Sequence, residues 1–197
     1  MHKILDVHLD RLRAWITDKR TDDEVRETFH GKKSKFLFRD LFMCRWWLAD
    51  EHLDALFLFI RLKIKAAGIP SSQNFTTADT IFMVWNSYVT LYSLPSLTTA
   101  EEMTNILLPI RELLPKLLDS TGLFDRRGRS STYKEPWLAV IVDSIPLQRN
   151  NSDCGVFTIK YFEYIAAGVG LDTLCQENMS YFRKQLAFQL WTNTPMY

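Results

Sequence analysis

Cysteine is scarce in this chain: three in 197 residues, at positions 44, 154 and 175. They are odd in number, far apart and free of any Cys-x-x-Cys pair. That argues against a disulfide framework and against a zinc site, and no metal or other cofactor is expected. A reducing interior, nuclear or cytoplasmic, is the matching compartment. A basic excess is also lacking. The formal net charge is +1, without the basic stripe of a nucleic-acid binder. No long apolar run occurs either. Charges interrupt the opening "MHKILDVHLDRLRAW" every few residues, so it reads as neither a secretory leader nor a membrane span. Internal repeats and low-complexity tracts are absent.

What is present is ample apolar area. Residues of hydrophobic type make up 47% of the chain, with 13 Phe, 7 Tyr and 6 Trp, enough to rule against disorder and to build one compact domain with or without an extension. Residues 2–30 are charged, amphipathic and expected to be helical, followed by a basic turn at Gly31–Lys33. From 47 to 67, Leu48, Leu53, Leu56, Phe57, Ile60 and Ile64 recur mostly at spacings of three and four, which predicts a helix. Asp50 can cap it, and Gly68 with Pro70 can end it. Residues 80–92, rich in β-branched and aromatic types, read as a strand. Thr99 with Glu102 resembles a capping box for a helix stopped by Gly122, which Pro109 and Pro115 can kink or divide. A polar loop runs to 136 and a buried strand to 145. Helices over 154–167, ending at Gly168, and over 176–191 complete the pattern. Without strict βα alternation this is α+β.

The stretch "SIPLQRNNSDCGVFTIK" carries the chemistry. Ser152 or Asp153 can cap the helix that follows. Cys154 then falls in its first turn, where unpaired N–H groups and the positive end of the helix dipole favour an anion. Gly155 permits close backbone approach. Inward-facing Val156, Ile159, Phe162 and Ile165 or Ala166 would anchor the helix. Free cysteine is also among the residue types most often simply buried. On these grounds alone, a packing role and a nucleophilic role both remain open.

Residues "IPLQRNNSDCGVFTIKYFEYI" resemble the active-site segment of the ubiquitin-like-protein-specific (sentrin/SUMO, Ulp-type) cysteine proteases, particularly the plant members. The pattern is Pro-x-Gln, a short polar turn, then Asp-Cys-Gly and an apolar helix, with the glutamine six residues before the cysteine. "WWLADEHLDALFLFIRLK" resembles the family's Trp-Leu helix, "VTLYSLPSLTTAEEM" more loosely its Tyr-Asp-Ser strand and next helix, and "YFRKQLAFQL" its closing helix. The resemblance spans roughly residues 35–190. It implies a papain-like α+β fold of the SUMO-protease type over residues 35–197, preceded by a helical extension over 1–34. It implies Cys154 as nucleophile and Gln148 as an oxyanion donor beside the backbone N–H of Cys154. Asp153 and Gly155 would shape the turn, and Trp47 would be a structural or substrate-channel aromatic. The partner implied is a SUMO-type ubiquitin-like modifier or its conjugates. Neither nucleic acid nor membrane is implied, and a monomer is expected.

One part of the family pattern is missing. Its base is a histidine in a His-Trp strand, oriented by the aspartate of Tyr-Asp-Ser, and a cysteine nucleophile needs such a partner. This chain has only His2, His8, His30 and His52, none followed by Trp. His52 falls in the Trp-Leu helix as a helix-surface or helix-cap residue, and His30 in the basic turn. Between Trp85 and Tyr92 there is too little chain for the strand and hairpin that the family places there, and Ser93 stands where the aspartate is expected. No catalytic His or Asp is matched, and the central sheet is expected to be truncated. Two functions follow: a cysteine peptidase cleaving after a modifier's Gly-Gly, or a catalytically impaired pseudoprotease or mobile-element remnant that at most binds the modifier.

Overall fold

The computed structural model describes residues 6–44, 46–67, 100–126, 136–137 and 146–193. Two compact units divide the chain: Met1–Met83 with Ile145–Tyr197, and Val84–Ser144.

In the first unit, α1 (Asp6–Thr17) ends where Thr17 and Asp18 turn their side chains onto nearby backbone. Thr17 Oγ1 donates to the Arg13 carbonyl, and Asp18 accepts from the Arg20 N–H, as such residues do at helix ends. The helical reading of residues 2–30 therefore fails beyond Thr17. Residues 25–34 form an antiparallel hairpin of β1 (Val25–Thr28) and β2 (Gly31–Ser34), closed by Phe29 and His30 with Gly31 at φ +83°. The hairpin grips the chain's last helix. Arg26 donates to the Trp191 carbonyl at 3.0 Å and lies over its ring, and the Phe29 N–H donates to Asn193 Oδ1 at 2.9 Å.

Four more helices complete this unit's core: α2 (Lys35–Phe42), α3 (Asp50–Ala66), and, after the second unit, α6 (Cys154–Ala167) and α7 (Met179–Thr192). Met179, Phe182, Leu186, Ala187 and Leu190 form a buried stripe of period 3.6 on α7. Leu12 and Ile16 of α1, Leu37, Phe38 and Leu41 of α2, Leu56 and Ile60 of α3, and Val156 and Ile159 of α6 join it in one cluster. On α6 it is Ala166 that turns inward, while Ile165 is exposed.

Asp50 is the first residue of α3 rather than its cap. The cap residue, Ala49, has its N–H held by His52 Nδ1 at 3.1 Å. Gly168, at φ +67°, ends α6 with the Gly168 N–H on the Ile165 carbonyl and the Val169 N–H on that of Tyr164, a Schellman arrangement that a residue with a Cβ resists.

In the second unit, α4 (Ala100–Ser120) is not divided at Pro109 or Pro115, although each proline lacks the N–H that would bond the carbonyl four residues before it. Gly122, at φ +70°, stops it. The polar loop expected next begins instead with a short helix, α5 (Leu123–Arg126), that buries Phe124. Arg111 and Trp137 exchange two hydrogen bonds, Nε to carbonyl at 2.6 Å and N–H to carbonyl at 3.1 Å. The strand expected at 80–92, the cap at Thr99, the stop at Gly68 and Pro70, and residues 138–145 lie outside the described residues.

Candidate active site

The loop leading into α6 is tied down along its length. Tyr161 of α6 donates its hydroxyl to the Pro146 carbonyl. The Arg149 N–H donates to Gln176 Oε1 at 2.9 Å, and its guanidinium meets Glu177 at 2.9 Å. Asn150 turns back on the chain, its Oδ1 accepting the N–H groups of Ser152 and Asp153 at 3.2 and 3.1 Å. This is an Asx turn built by a residue type that favours one.

Asp153 is the residue before the first turn of α6, but its carboxylate does not cap the helix. It points sideways into a buried polar cluster. Oδ1 accepts from Arg183 Nε at 2.6 Å, and Oδ2 from Asn150 and Gln176 at 2.6 and 2.7 Å. Burial pushes this carboxyl up. The three donors and the charge of Arg183 outweigh that and hold it below the usual carboxylate range. Arg183 is itself fully buried. Its Nη2 donates to the Ser152 carbonyl at 2.5 Å and the Trp46 carbonyl at 3.0 Å. A buried Arg–carboxylate pair is costly to break, on the order of 3–5 kcal/mol, because one charge is left uncompensated.

Cys154 opens α6 and is exposed, while Gly155 behind it is buried. A Cβ on Gly155 would stand 3.0 Å from Leu48 Cβ and 3.1 Å from its Cδ1. Any larger residue there would press on the Leu48 side chain. Leu48 is buried, whereas Trp46 and Trp47 leave 64% and 70% of their area in solvent. The Asp153–Gly155 turn is thus joined to the Trp46–Leu48 segment, through Arg183 on one side and the Leu48 side chain on the other. Gln148 lies in the same loop, with its side-chain amide donating to the Asn150 carbonyl.

Among the described residues no side chain hydrogen-bonds Cys154 Sγ. His52 is buried with both ring nitrogens engaged: Nδ1 accepts from the Ala49 N–H, so Nε2 carries the proton and donates to the Leu37 carbonyl at 3.0 Å. Burial pushes this imidazole below its ordinary value, with the Leu37 carbonyl pulling partly back. His8 stacks on Phe188, 5.5 Å between ring centroids, and His30 is exposed in the hairpin turn. His2 lies outside the described residues. Among the described residues no group of three or more His, Cys, Asp and Glu could hold a metal ion, and no helix is long and apolar enough to cross a membrane.

Asn150, Gln176 and Arg183 were not singled out from the sequence. A signal existed for one of them. Arg183 falls on the apolar stripe of α7, next to Phe182 and four residues before Ala187, where an arginine needs a buried carboxylate.

Residues 47–192, well over half of the chain, match the Ulp1 protease family, C-terminal catalytic domain. Two curated proteins of Arabidopsis thaliana are similar over shorter stretches. Ubiquitin-like-specific protease 1A is 33% identical over 81 residues, 39% of this chain and 16% of that protein. Ubiquitin-like-specific protease ESD4 is 39% identical over 54 residues, 27% of this chain and 11% of that protein. The matched stretches are thus a small part of either relative.

Proposed function

The chain belongs to the Ulp1 protease family, a family of α+β cysteine peptidases, and on that premise we propose that it acts at the C-terminal Gly-Gly of a SUMO-type ubiquitin-like modifier, with Cys154 as nucleophile. The observation that carries this reading is an exposed thiol at the first position of α6, backed by a buried ionic cluster that fixes the turn before it. Cys154 Sγ adds to the carbonyl carbon of the modifier's last glycine. The bond to the leaving amine breaks, and the amine departs with the proton that the Cys154 thiol gave up. Water then hydrolyses the thioester, releasing the modifier's carboxylate and restoring the thiol. Gln148, swung off the Asn150 carbonyl, donates an N–H to the oxyanion beside the backbone N–H of Cys154. Asp153 and Gly155 hold the turn, and Trp47 lines the approach. No cofactor takes part. The unpaired cysteines support action in the nucleus or cytoplasm, as a monomer.

A specific observation favours a second reading, in which the domain captures the modifier and turns it over poorly or not at all. Among the described residues no histidine hydrogen-bonds Cys154: His8 stacks on Phe188, His30 is exposed in the hairpin turn and His52 is engaged at both ring nitrogens, and loss of the base from such a pair costs orders of magnitude in rate. One experiment separates the two: incubate the purified chain with a SUMO-type modifier carrying a C-terminal vinyl sulfone, and in parallel with a modifier fusion. Labelling at Cys154 together with cleavage of the fusion supports the peptidase. Binding or labelling without cleavage supports the impaired form. Neither binding nor labelling overturns both.

A further inference from the structure

We infer that Arg183 is a positioning residue, one guanidinium that locks the Trp46–Leu48 segment to the Cys154 turn and so sets the spacing between the exposed indoles and the thiol. This rests on the reading that Cys154 receives a modifier's C terminus.

Three anchors from two distant parts of the chain converge on this side chain: the Asp153 carboxylate at 2.6 Å, the Ser152 carbonyl at 2.5 Å and the Trp46 carbonyl at 3.0 Å. Two of them lie in the two residues before Cys154. The third is the backbone of an exposed tryptophan. The planar fork of arginine makes this possible, since one nitrogen addresses the carboxylate while another spans two carbonyls. A lysine ammonium is a single point on a shorter reach and cannot meet all three.

The segment is held a second time at Leu48, whose side chain closes on the Gly155 backbone. Trp47 lies between the two attachments, its backbone bracketed and its ring largely in solvent. A channel wall of this kind must be stiff at the backbone for its ring to select what passes. Full burial of Arg183 supplies that stiffness, because water cannot replace the lost partners.

The test uses the full chain with Arg183→Lys and, as a second route, Asp153→Asn, which keeps the size of the anchor and removes its charge. Folding is followed by near-ultraviolet circular dichroism. Backbone hydrogen exchange is read at 46–49 and at 150–155. Cys154 labelling is read as the ratio of the rate with the modifier vinyl sulfone to that with iodoacetamide, which needs no channel. Each folded variant is expected to speed exchange in both segments together by roughly tenfold or more, and to lower the labelling ratio by roughly tenfold or more, as small misplacements do. Folded variants with exchange unchanged in either segment overturn the clamp. So does loss of folding in both, which would make Arg183 a stability residue alone. If the unsubstituted chain never labels with the modifier probe while exchange still rises in both segments of the variants, the modifier reading fails and the clamp stands.

Discussion

His52 illustrates how a residue type suggestive of catalysis can be wholly consumed by structure. Its Nδ1 must stay unprotonated to accept the Ala49 N–H, and Nε2–H serves the Leu37 carbonyl in the buried core. Replacing it with alanine leaves the Ala49 N–H without this partner and takes one of its two bonds from the Leu37 carbonyl, which sits inside α2, an expected loss of about 1–3 kcal/mol in urea unfolding. The pH dependence follows from the direction of its shift. The folded-state value is lowered below the ordinary 6.5, so the unfolded chain binds the proton more readily. The stability from this site is therefore present above the ordinary value and lost as pH falls through and below it. Between pH 7.5 and 5.5 the natural chain should lose stability that His52→Gln does not lose; parallel slopes for the two would refute this. Gly155 carries the other prediction at this scale. The Cβ of alanine would crowd Leu48 at 3.0–3.2 Å, for a cost of about 1–3 kcal/mol. Part of that cost should return when Leu48→Ala is combined with it, as a double-mutant cycle would measure.

Among the elements, α6 was the most legible. Polar residues before Cys154 and Gly168 after Ala167 mark its two ends, and the structure keeps both, because a left-handed C-cap needs glycine. The hairpin over 25–34 was illegible for the opposite reason. Its charged sequence resembles an amphipathic helix, and the hairpin that forms instead is held by distant contacts, among them Trp191 and Asn193, more than 160 residues away, and Glu51 and Phe59. The site divides in the same way. Cys154 and Gln148 are marked as candidates by resemblance to one short family segment, whereas Arg183 joins residues 30 and 137 positions distant, and no window of sequence contains that pairing. A second buried cluster ties α3, α6 and α7 together: Glu163 takes Lys63 and Lys160 at 2.6 Å each, and Lys160 also donates to Gln185. Burial raises the Glu163 carboxyl, but the two ammonium groups outweigh it and the group is held below its ordinary 4.5. This stability is present above that value and lost as pH falls through the lowered one. Glu163→Gln strands two cations and should cost about 3 kcal/mol or more at neutral pH. A loss under about 1 kcal/mol in the urea midpoint analysis would mean that water already reaches the cluster.

For the whole molecule, the family match and the folding unit do not coincide. The match begins at residue 47, yet the core that seats α7, and through it Arg183, draws on Leu12, Ile16, Leu37, Phe38, Leu41 and Phe42 from before that point. Each is nearly or fully buried. At roughly 1.5–3 kcal/mol per buried side chain, together they contribute on the order of 10 kcal/mol. That is comparable with the entire net stability of a typical domain, about 5–15 kcal/mol. Removing them also bares one side of α7 along the stripe they cover. Residues 47–197 produced alone should therefore lack a cooperative melt and near-ultraviolet dichroism, and their Cys154 should react with iodoacetamide without the orienting cluster around Asp153. If that shorter chain instead melts cooperatively with Arg183 and Asp153 still protected from exchange, α1, the hairpin and α2 are ornament to the site. The buried area argues that they are its foundation, since the clamp on the Cys154 turn is only as firm as the helix that carries it.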